Sequence, residues 1–278
     1  MKTARTVALL AAVLAFAATA ARADWDPGDP CKMHWPQLPD LTPTGLDVLD
    51  TWGYYGQSTE IEPGSAKFLA DDFLCTQRGP ITDIHIWGSW LLDQTIMQPQ
   101  FILKIYKDIP ASESPTDYSM PGELLWESMI RPADEVREYA RDLQEGFYDP
   151  NLGDVIGGDT ICWQYNFYFD DAVAFPQEEG TIYWLGVEAY YEEPEIWNWG
   201  WKTTNPAETL HFNDDAVYID ILPDGTSLLP QELRYPAGHP FGGESMDLAF
   251  VITPEPATLA LMGFGIAGLV ASRRRRRR

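Results

Sequence analysis

The chain has 278 residues, of which 13% are aromatic, and its formal charge is −23. Many of its basic residues lie near the two termini, so residues 24–253 carry 10 basic against 41 acidic residues. A body with this charge repels nucleic acid and anionic membrane surfaces, which excludes both as its partners. The acidic residues either keep a secreted protein dispersed or recruit divalent cations and basic partners. The length of the body suits one large all-β domain or two small ones, and we favour one.

The N-terminal residues have the organisation of a secretory signal peptide. Lys2 and Arg5 precede an uncharged apolar run over residues 7–18, and small residues follow at Ala21 and Ala23. This order predicts recognition by a signal peptidase and cleavage after Ala23. The alternative is an uncut N-terminal anchor, but a run of about a dozen apolar residues is short for a stable membrane span.

Residues 24–66 are rich in proline, glycine and aspartate and show no sustained periodicity. They are predicted to form an extended lead-in with no more than one short strand. The body contains three cysteines, Cys31, Cys75 and Cys162. An oxidising compartment permits one disulfide among them and leaves one thiol, and their spacing does not select the pair. No Cys/His spacing typical of a structural zinc site is present.

Alternating residues predict short β-strands through residues 67–253. The clearest case puts Ile161, Trp163, Tyr165, Phe167 and Phe169 on one face, because successive side chains of a strand point to opposite faces. Many short strands, turn clusters and abundant aromatic residues predict a β-sandwich, most simply of jelly-roll type. Further candidate strands are residues 81–90, 101–106, 183–189, 216–221 and 246–252.

Residues 132–145 are the one segment with helical spacing. Val136, Tyr139, Ala140 and Leu143 fall at intervals compatible with a helix, and Pro132 suits a first turn. The segment could equally be a strand, because valine and tyrosine favour strands.

The body shows no local signature of an enzyme. GxSxG, HExxH and phosphate-binding glycine loops are missing from the sequence. We expect the four histidines, His34, His85, His211 and His239, to be hydrogen-bonded strand or loop residues. A glycosidase needs two carboxyls about 5 to 10 Å apart, and the sequence cannot select one pair among so many acidic residues. We therefore predict no catalytic residues, with a secreted carbohydrate-active hydrolase as the alternative.

Two pairs of adjacent acids, Asp71-Asp72 and Asp214-Asp215, lie beside apolar segments. With backbone carbonyls they could supply the oxygen ligands of a structural calcium ion. Neighbours in a strand point to opposite faces, so the simpler interpretation gives each pair one solvated acid and one acid hydrogen-bonded to a turn. We expect no other cofactor.

The segment Trp197-Asn-Trp-Gly-Trp201 is the most suggestive for ligand binding. In an extended segment Trp197, Trp199 and Trp201 point to one side. If exposed, such a row stacks on sugar rings, which would associate the protein with extracellular polysaccharide. If buried, it is part of the core, which the usual burial of tryptophan favours.

Several segments of the body together resemble an uncharacterised domain that recurs in secreted bacterial proteins. This resemblance spans nearly all of the body and implies one extracellular domain, but no activity. It is carried by residues 69–75, 79–90, 121–126, 199–203, 212–217 and 245–253.

The C-terminal residues combine a short motif, an apolar stretch and a basic end. Pro254-Glu255-Pro256 is followed by the uncharged residues 257–272 and then by arginines at 273–278. As a helix the uncharged stretch covers about 24 Å of a hydrocarbon core of about 30 Å, so it is a marginal anchor. The arginines are expected to stay on the cytoplasmic side.

This tail, which continues from the motif with Ala257-Thr-Leu-Ala-Leu261, closely resembles the PEP-CTERM sorting signal. The resemblance implies recognition by an exosortase, a membrane-embedded cysteine transpeptidase-like protease that removes the tail near Pro254-Glu255-Pro256. The protein would then be released or transferred to the surface of a Gram-negative bacterium that makes extracellular polysaccharide. We therefore predict an exported, non-enzymatic surface or matrix protein, anchored in the membrane by its C-terminal segment until it is processed.

Overall fold

A computed structural model describes residues 35–50, 66–96, 99–190, 198–207, 216–222 and 226–253. The predicted signal peptide and C-terminal segment lie outside these residues, as do Cys31, Trp197 and the Asp214-Asp215 pair. No helix within the described ranges is long and apolar enough to cross a membrane. The regular elements there are β-strands, apart from one 3-10 turn at Leu91–Asp93, so the predicted all-β class is confirmed.

Sixteen strands occur in the described part of the chain. The two longest, with 15 residues each, follow one another and form a long hairpin. In chain order the strands are β1 (Trp35–Gln37), β2 (Leu46–Asp50), β3 (Ala66–Leu74), β4 (Gly79–Ile81), β5 (Asp83–Trp90), β6 (Gln100–Ile109), β7 (Met120–Glu127), β8 (Arg131–Pro132), β9 (Glu135–Asp149), β10 (Asp154–Tyr168), β11 (Phe175–Gln177), β12 (Ile182–Tyr190), β13 (Trp199–Lys202), β14 (Val217–Ile221), β15 (Gln231–Glu232) and β16 (Phe250–Thr253).

The first large sheet has seven strands in the order β1-β16-β5-β10-β9-β2-β13. β13 also pairs with the end of β5 that β16 leaves free, so β5, β10, β9, β2 and β13 close into a ring. Within the ring only β2 and β9 run parallel to each other. A closed sheet has one face turned toward its own interior and one face turned outward.

The second large sheet has the order β15-β14-β3-β12-β6-β7, and β8 pairs with β6. The two large sheets pack against each other through one continuous apolar core. Phe101 of β6 joins them, because its ring lies 5.0 Å from Tyr165, 5.5 Å from Phe167 and 5.3 Å from Trp199, all on the first sheet. The packing of two sheets is thus present, and the jelly-roll topology stays a prediction.

The predicted alternation is confirmed in the strands that line this core. Tyr165 and Phe167 of β10 are buried in it, while Gln164 and Asn166 are buried on the opposite face. β12 follows the same rule, since residues 183, 185, 187 and 189 all belong to the core. Both faces of this part of β10 are therefore buried, one apolar and one polar.

Residues 135–149 form β9, so the helical interpretation of residues 132–145 is wrong. Bulges explain the helix-like spacing. Glu138 and Ala140 pair with consecutive residues of β10, which leaves Tyr139 as an extra residue. An extra residue shifts the alternation by one position, so apolar residues recur at intervals of three and four. A second irregularity holds Asp142 at a φ of 60°.

The domain begins earlier than the predicted boundary at residue 67. β1 pairs with β16, and β2 lies between β9 and β13. Residues 35–50 thus supply two strands of the first sheet instead of an extended lead-in. The period of two was not visible in β2, because Asp47 and Asp50 are buried along with its apolar residues.

Replacement of Phe101 by alanine tests the joint between the sheets. We expect Phe101→Ala to lower the free energy of unfolding by about 3 to 5 kcal/mol, because it leaves a cavity among three aromatic rings. Leu229→Ala, at a side chain that is 57% exposed, is the control and should change it by less than about 0.5 kcal/mol. Equal effects in chemical denaturation would contradict this account of the core.

Candidate functional site

Four ionisable side chains meet on the interior face of the ring. Lys202 comes from β13, Asp47 from β2, Glu145 from β9 and Asp159 from β10. We call these residues the Lys202 cluster. The carboxyl oxygens of Asp47 and Asp159 come within 4.8 Å although their strands are not neighbours. Short side chains two strands apart meet only on a concave face, because adjacent strands lie about 4.8 Å apart.

Lys202 is at the centre of the cluster. Its Nζ donates a hydrogen bond to Asp47 Oδ2 at 2.8 Å and lies 2.5 Å from Glu145 Oε2. Lys202 and Asp47 are direct partners in the register of β13 and β2, and Glu145 and Asp159 are partners in that of β9 and β10. The side chains of Lys202, Asp47 and Glu145 are fully buried, and Asp159 is 5% exposed. Bulk water is therefore nearly excluded from the cluster.

Gly200 allows β13 to approach the ring interior closely. A Cβ atom at this position would lie 2.8 Å from Phe147 Cζ and 2.9 Å from Asp47 Cβ. A close-packed interior does not tolerate such contacts without movement. The segment Trp199-Gly-Trp-Lys202 thus places two tryptophans in the core between the sheets and presents a glycine and a lysine to the ring.

Burial dominates the electrostatics of the cluster. It raises the pKa of Glu145 to about 8, against the opposing effect of Lys202. Burial also raises the pKa of Asp159 to about 9, and the nearby Asp47 adds to the shift. Burial by itself would lower the pKa of Lys202, but Asp47 and Glu145 raise it above its usual value. At neutral pH a charged Lys202 is thus held beside Asp47, with Glu145 and Asp159 mainly in their protonated forms.

The cluster offers two kinds of chemistry. Three carboxyls within 4.8 Å of one another are oxygen ligands of the type that a divalent cation prefers. The ammonium group of Lys202 already stands against two of them and supplies the positive charge. The same contacts place an amine against one carboxyl group, with a second carboxyl within reach for proton transfer. The position of Lys202 favours this second chemistry.

The proposed calcium ligand Asp71 belongs to a different network. Its Oδ2 accepts hydrogen bonds from Gln37 Nε2 at 2.8 Å and Leu248 N at 2.6 Å, and its Oδ1 accepts one from Asp72 N at 2.9 Å. N–H donors thus occupy the oxygens that calcium would need. Burial, together with the nearby Asp247, raises the pKa of Asp71. Asp71 and Asp72 are both buried, so the expectation that one of them is solvated is wrong.

Trp199 and Trp201 lie in the core between the sheets and are completely buried. Trp201 Nε1 donates a hydrogen bond to the carbonyl oxygen of Ala249 at 2.8 Å. Neither ring is available to a sugar, so the stacking interpretation is wrong for these two residues and the core interpretation is correct. Trp197 lies outside the described residues.

The described histidines and cysteines have structural environments. His85 Nδ1 lies 2.7 Å from Asn166 Oδ1, and His239 Nε2 lies 3.0 Å from the carbonyl oxygen of Thr44, which confirms both as hydrogen-bonded residues. His34 and His211 are outside the described ranges. Cys75 and Cys162 are buried free thiols, so neither forms the disulfide that an oxidising compartment would permit.

Sequence reasoning did not find the Lys202 cluster. Its members come from four strands, and only the ring brings them together. One signal was available, because Lys202 follows two tryptophans at alternate positions of a segment that reads as a strand. A lysine at a buried strand position requires an acidic partner. Nothing in the sequence identifies Asp47, Glu145 and Asp159 among the many other acidic residues.

Two family models match the chain. One is described as a domain of unknown function, DUF7901, and covers residues 33–253. The other is the PEP-CTERM protein-sorting motif and covers residues 253–277. No curated protein matches the chain.

The raised pKa values of Glu145 and Asp159 predict a specific dependence of stability on pH. A carboxyl whose pKa is raised by folding binds its proton more tightly in the folded state. Its contribution to the free energy of unfolding is therefore complete below the pKa that it has in the unfolded chain. That contribution is lost as the pH rises through the folded pKa, from about 4 to about 9 for Asp159.

We therefore expect Asp159→Asn to match the wild-type free energy of unfolding below about pH 4 and to exceed it increasingly up to about pH 9. Chemical denaturation of both proteins at constant ionic strength measures this difference. A difference that stays constant with pH would contradict the assignment.

Proposed function

Because the chain belongs to the DUF7901 family and continues into a PEP-CTERM sorting motif, we propose that it is a non-enzymatic component of the cell surface or extracellular matrix. The motif indicates export, a C-terminal sorting signal held in the membrane and recognition by an exosortase. Beyond what the motif indicates, we propose that the body is finally located at the cell surface or in the extracellular matrix and that its role is non-catalytic.

The junction between body and motif carries this proposal. The match to the sorting motif begins at Thr253, the last residue of β16. β16 is paired with β1 and β5, and Thr253 Oγ1 donates a hydrogen bond to Asp83 Oδ2 at 2.9 Å. Cleavage near Pro254-Glu255-Pro256 would therefore leave every described strand intact. A body that is complete without its sorting tail suits release or transfer.

The proposed topology follows from the two ends of the sequence. A signal peptidase removes residues 1–23 after Ala23, and residues 257–272 hold the chain in the membrane with the terminal arginines in the cytoplasm. The body then stands outside the membrane that the tail enters. Exosortase cleavage converts this anchored form into the surface or extracellular form.

The proposed role is non-enzymatic because the three carboxyls of the Lys202 cluster, which come within 4.8 Å of one another, leave no room for a substrate. Glu145 and Asp159 have the raised pKa values of general acids, which is the observation that favours a carbohydrate-active hydrolase. A glycosidase, however, must place a sugar ring between its carboxyls. Asp47, Glu145 and Asp159 are at most 7% exposed, and Lys202 lies against two of them.

Association with extracellular polysaccharide is part of the proposal, but it cannot use Trp199 and Trp201. With 10 basic and 41 acidic residues in residues 24–253, the body should bind neutral or basic polysaccharides in preference to acidic ones.

The decisive experiment compares the native protein from its own host with and without the exosortase. We expect a mature form that starts at Asp24, ends between Pro254 and Pro256 and is found outside the cell only when the exosortase is present. Replacing Pro254-Glu255-Pro256 by three alanines should leave the tail attached and the protein in the membrane fraction, with the body still folded. Identical intact masses and fractions with and without the exosortase would overturn the sorting part of the proposal.

A further inference from the structure

We propose that Lys202 and Asp47 become joined by an amide bond between their side chains, with Glu145 as the catalytic residue that carries protons. The structure describes the reactants, an amine and a carboxyl group in contact on neighbouring strands. This modification is independent of the sorting tail, because all three residues belong to the body.

The geometry brings the reacting atoms together. Lys202 Nζ is 2.8 Å from Asp47 Oδ2, and the carboxyl carbon of Asp47 is one bond from that oxygen. This contact brings the nitrogen near the separation of about 3 to 3.5 Å at which intramolecular reactions gain most from being held in place. Because β2 and β13 fix both backbones, the pair cannot separate without breaking the ring.

Burial favours the amide over the ion pair. The side chains of Lys202 and Asp47 are fully buried, and a buried ion pair bears a desolvation penalty that a neutral amide does not. Water released by the reaction leaves for bulk solvent, and the nearly closed cluster limits its return. Apart from Glu145 Oε2, which faces Lys202, four carboxyl oxygens of Asp47, Glu145 and Asp159 are buried without a hydrogen-bond partner, so the network is incompletely satisfied as an ion pair.

The reaction balances without an oxidant or a cofactor. Lys202 first passes a proton to Asp47 Oδ2, with which its Nζ is hydrogen-bonded, and its free amine then attacks the carboxyl carbon of the neutral Asp47 to form the C–N bond. Glu145, whose Oε2 lies 2.5 Å from Nζ, delivers its own proton to the departing oxygen and is reprotonated by the second proton of the nitrogen. The C–O bond of Asp47 then breaks and one water molecule leaves. An ammonium and a carboxylate are thereby converted into an amide and water.

Other lysine–carboxyl contacts in the described residues lack this arrangement. Lys67 Nζ lies 2.7 Å from Asp149 Oδ1, but the Asp149 side chain is 15% exposed. Lys104 contacts two glutamates, but its own side chain is 17% exposed. Water competes in both places, so these pairs should remain ionic. Lys67 therefore provides a matched control.

Peptide mapping tests the proposal directly on the full-length protein purified from its host. After denaturation, trypsin should not cut at a linked Lys202. It should yield one branched peptide in which residues 33–67 are joined to residues 142–234, since no other lysine or arginine lies inside these segments. Its mass should be the sum of the two parts minus one water molecule.

Two variants assign the roles. Glu145→Gln keeps the size of the side chain but cannot accept a proton, so it should yield separate peptides 33–67, 142–202 and 203–234. Lys67→Arg should retain the branched peptide. A branched peptide in Glu145→Gln would overturn the role of Glu145. Separate peptides from the wild type would overturn the cross-link itself, whether or not the variants fold.

Discussion

A buried ammonium group that must be paired constrains the whole ring. Lys202 is fully buried on the interior face of β13, and a buried charge without a partner destabilises a fold by several kcal/mol. β2 must therefore present Asp47 directly opposite Lys202. The same register turns Leu46 and Val48 into the core between the sheets. A slip by one residue would reverse both faces of β2 at once, so the charged pair and the apolar core enforce the same alignment.

The protein has two interiors of different chemistry. Between the sheets lies an aromatic core in which Phe101, Tyr165 and Trp199 are in contact. Inside the ring lies the Lys202 cluster, which is buried by the closure of the strands themselves. The first interior supplies most of the hydrophobic stabilisation, because it contains far more apolar surface. The second interior selects one arrangement of the strands, since few arrangements of four strands satisfy one lysine and three acids. It also contains the groups that we propose react with each other.

Much of the second sheet and the core could be predicted from the sequence. The alternation in β10 and β12 identifies their core faces, since each of these strands buries large apolar residues at every second position. The same rule failed for β2, where Asp47 is buried in the ring and Asp50 is buried too, and for β9, where an extra residue at Tyr139 interrupts the alternation. Local patterns report which side chains are apolar, whereas burial of a charge depends on distant strands.

The candidate site shows the same limit. Trp199 and Trp201 were correctly placed on one face. Whether that face is exposed depends on the sheet that packs over it, and the segment itself does not show this. The acidic residues of the Lys202 cluster could not be told apart from the other acidic residues. In the sequence, an aspartate in a solvated loop is indistinguishable from one that faces a buried lysine. Ring closure by β13 and β5, which makes the site, has no local signal in either strand.

The position of β16 affects how the protein can be handled at the membrane. β16 lies between β1 and β5, so the first sheet is completed only when residues 250–253 have been translocated. In the proposed topology the uncharged stretch that enters the membrane begins at Ala257, and only three residues separate it from the strand. Three residues span at most about 10 Å, so in that topology the cleavage motif lies close to the bilayer surface. A motif so close to the bilayer is within easier reach of an enzyme embedded in the membrane than of a soluble protease.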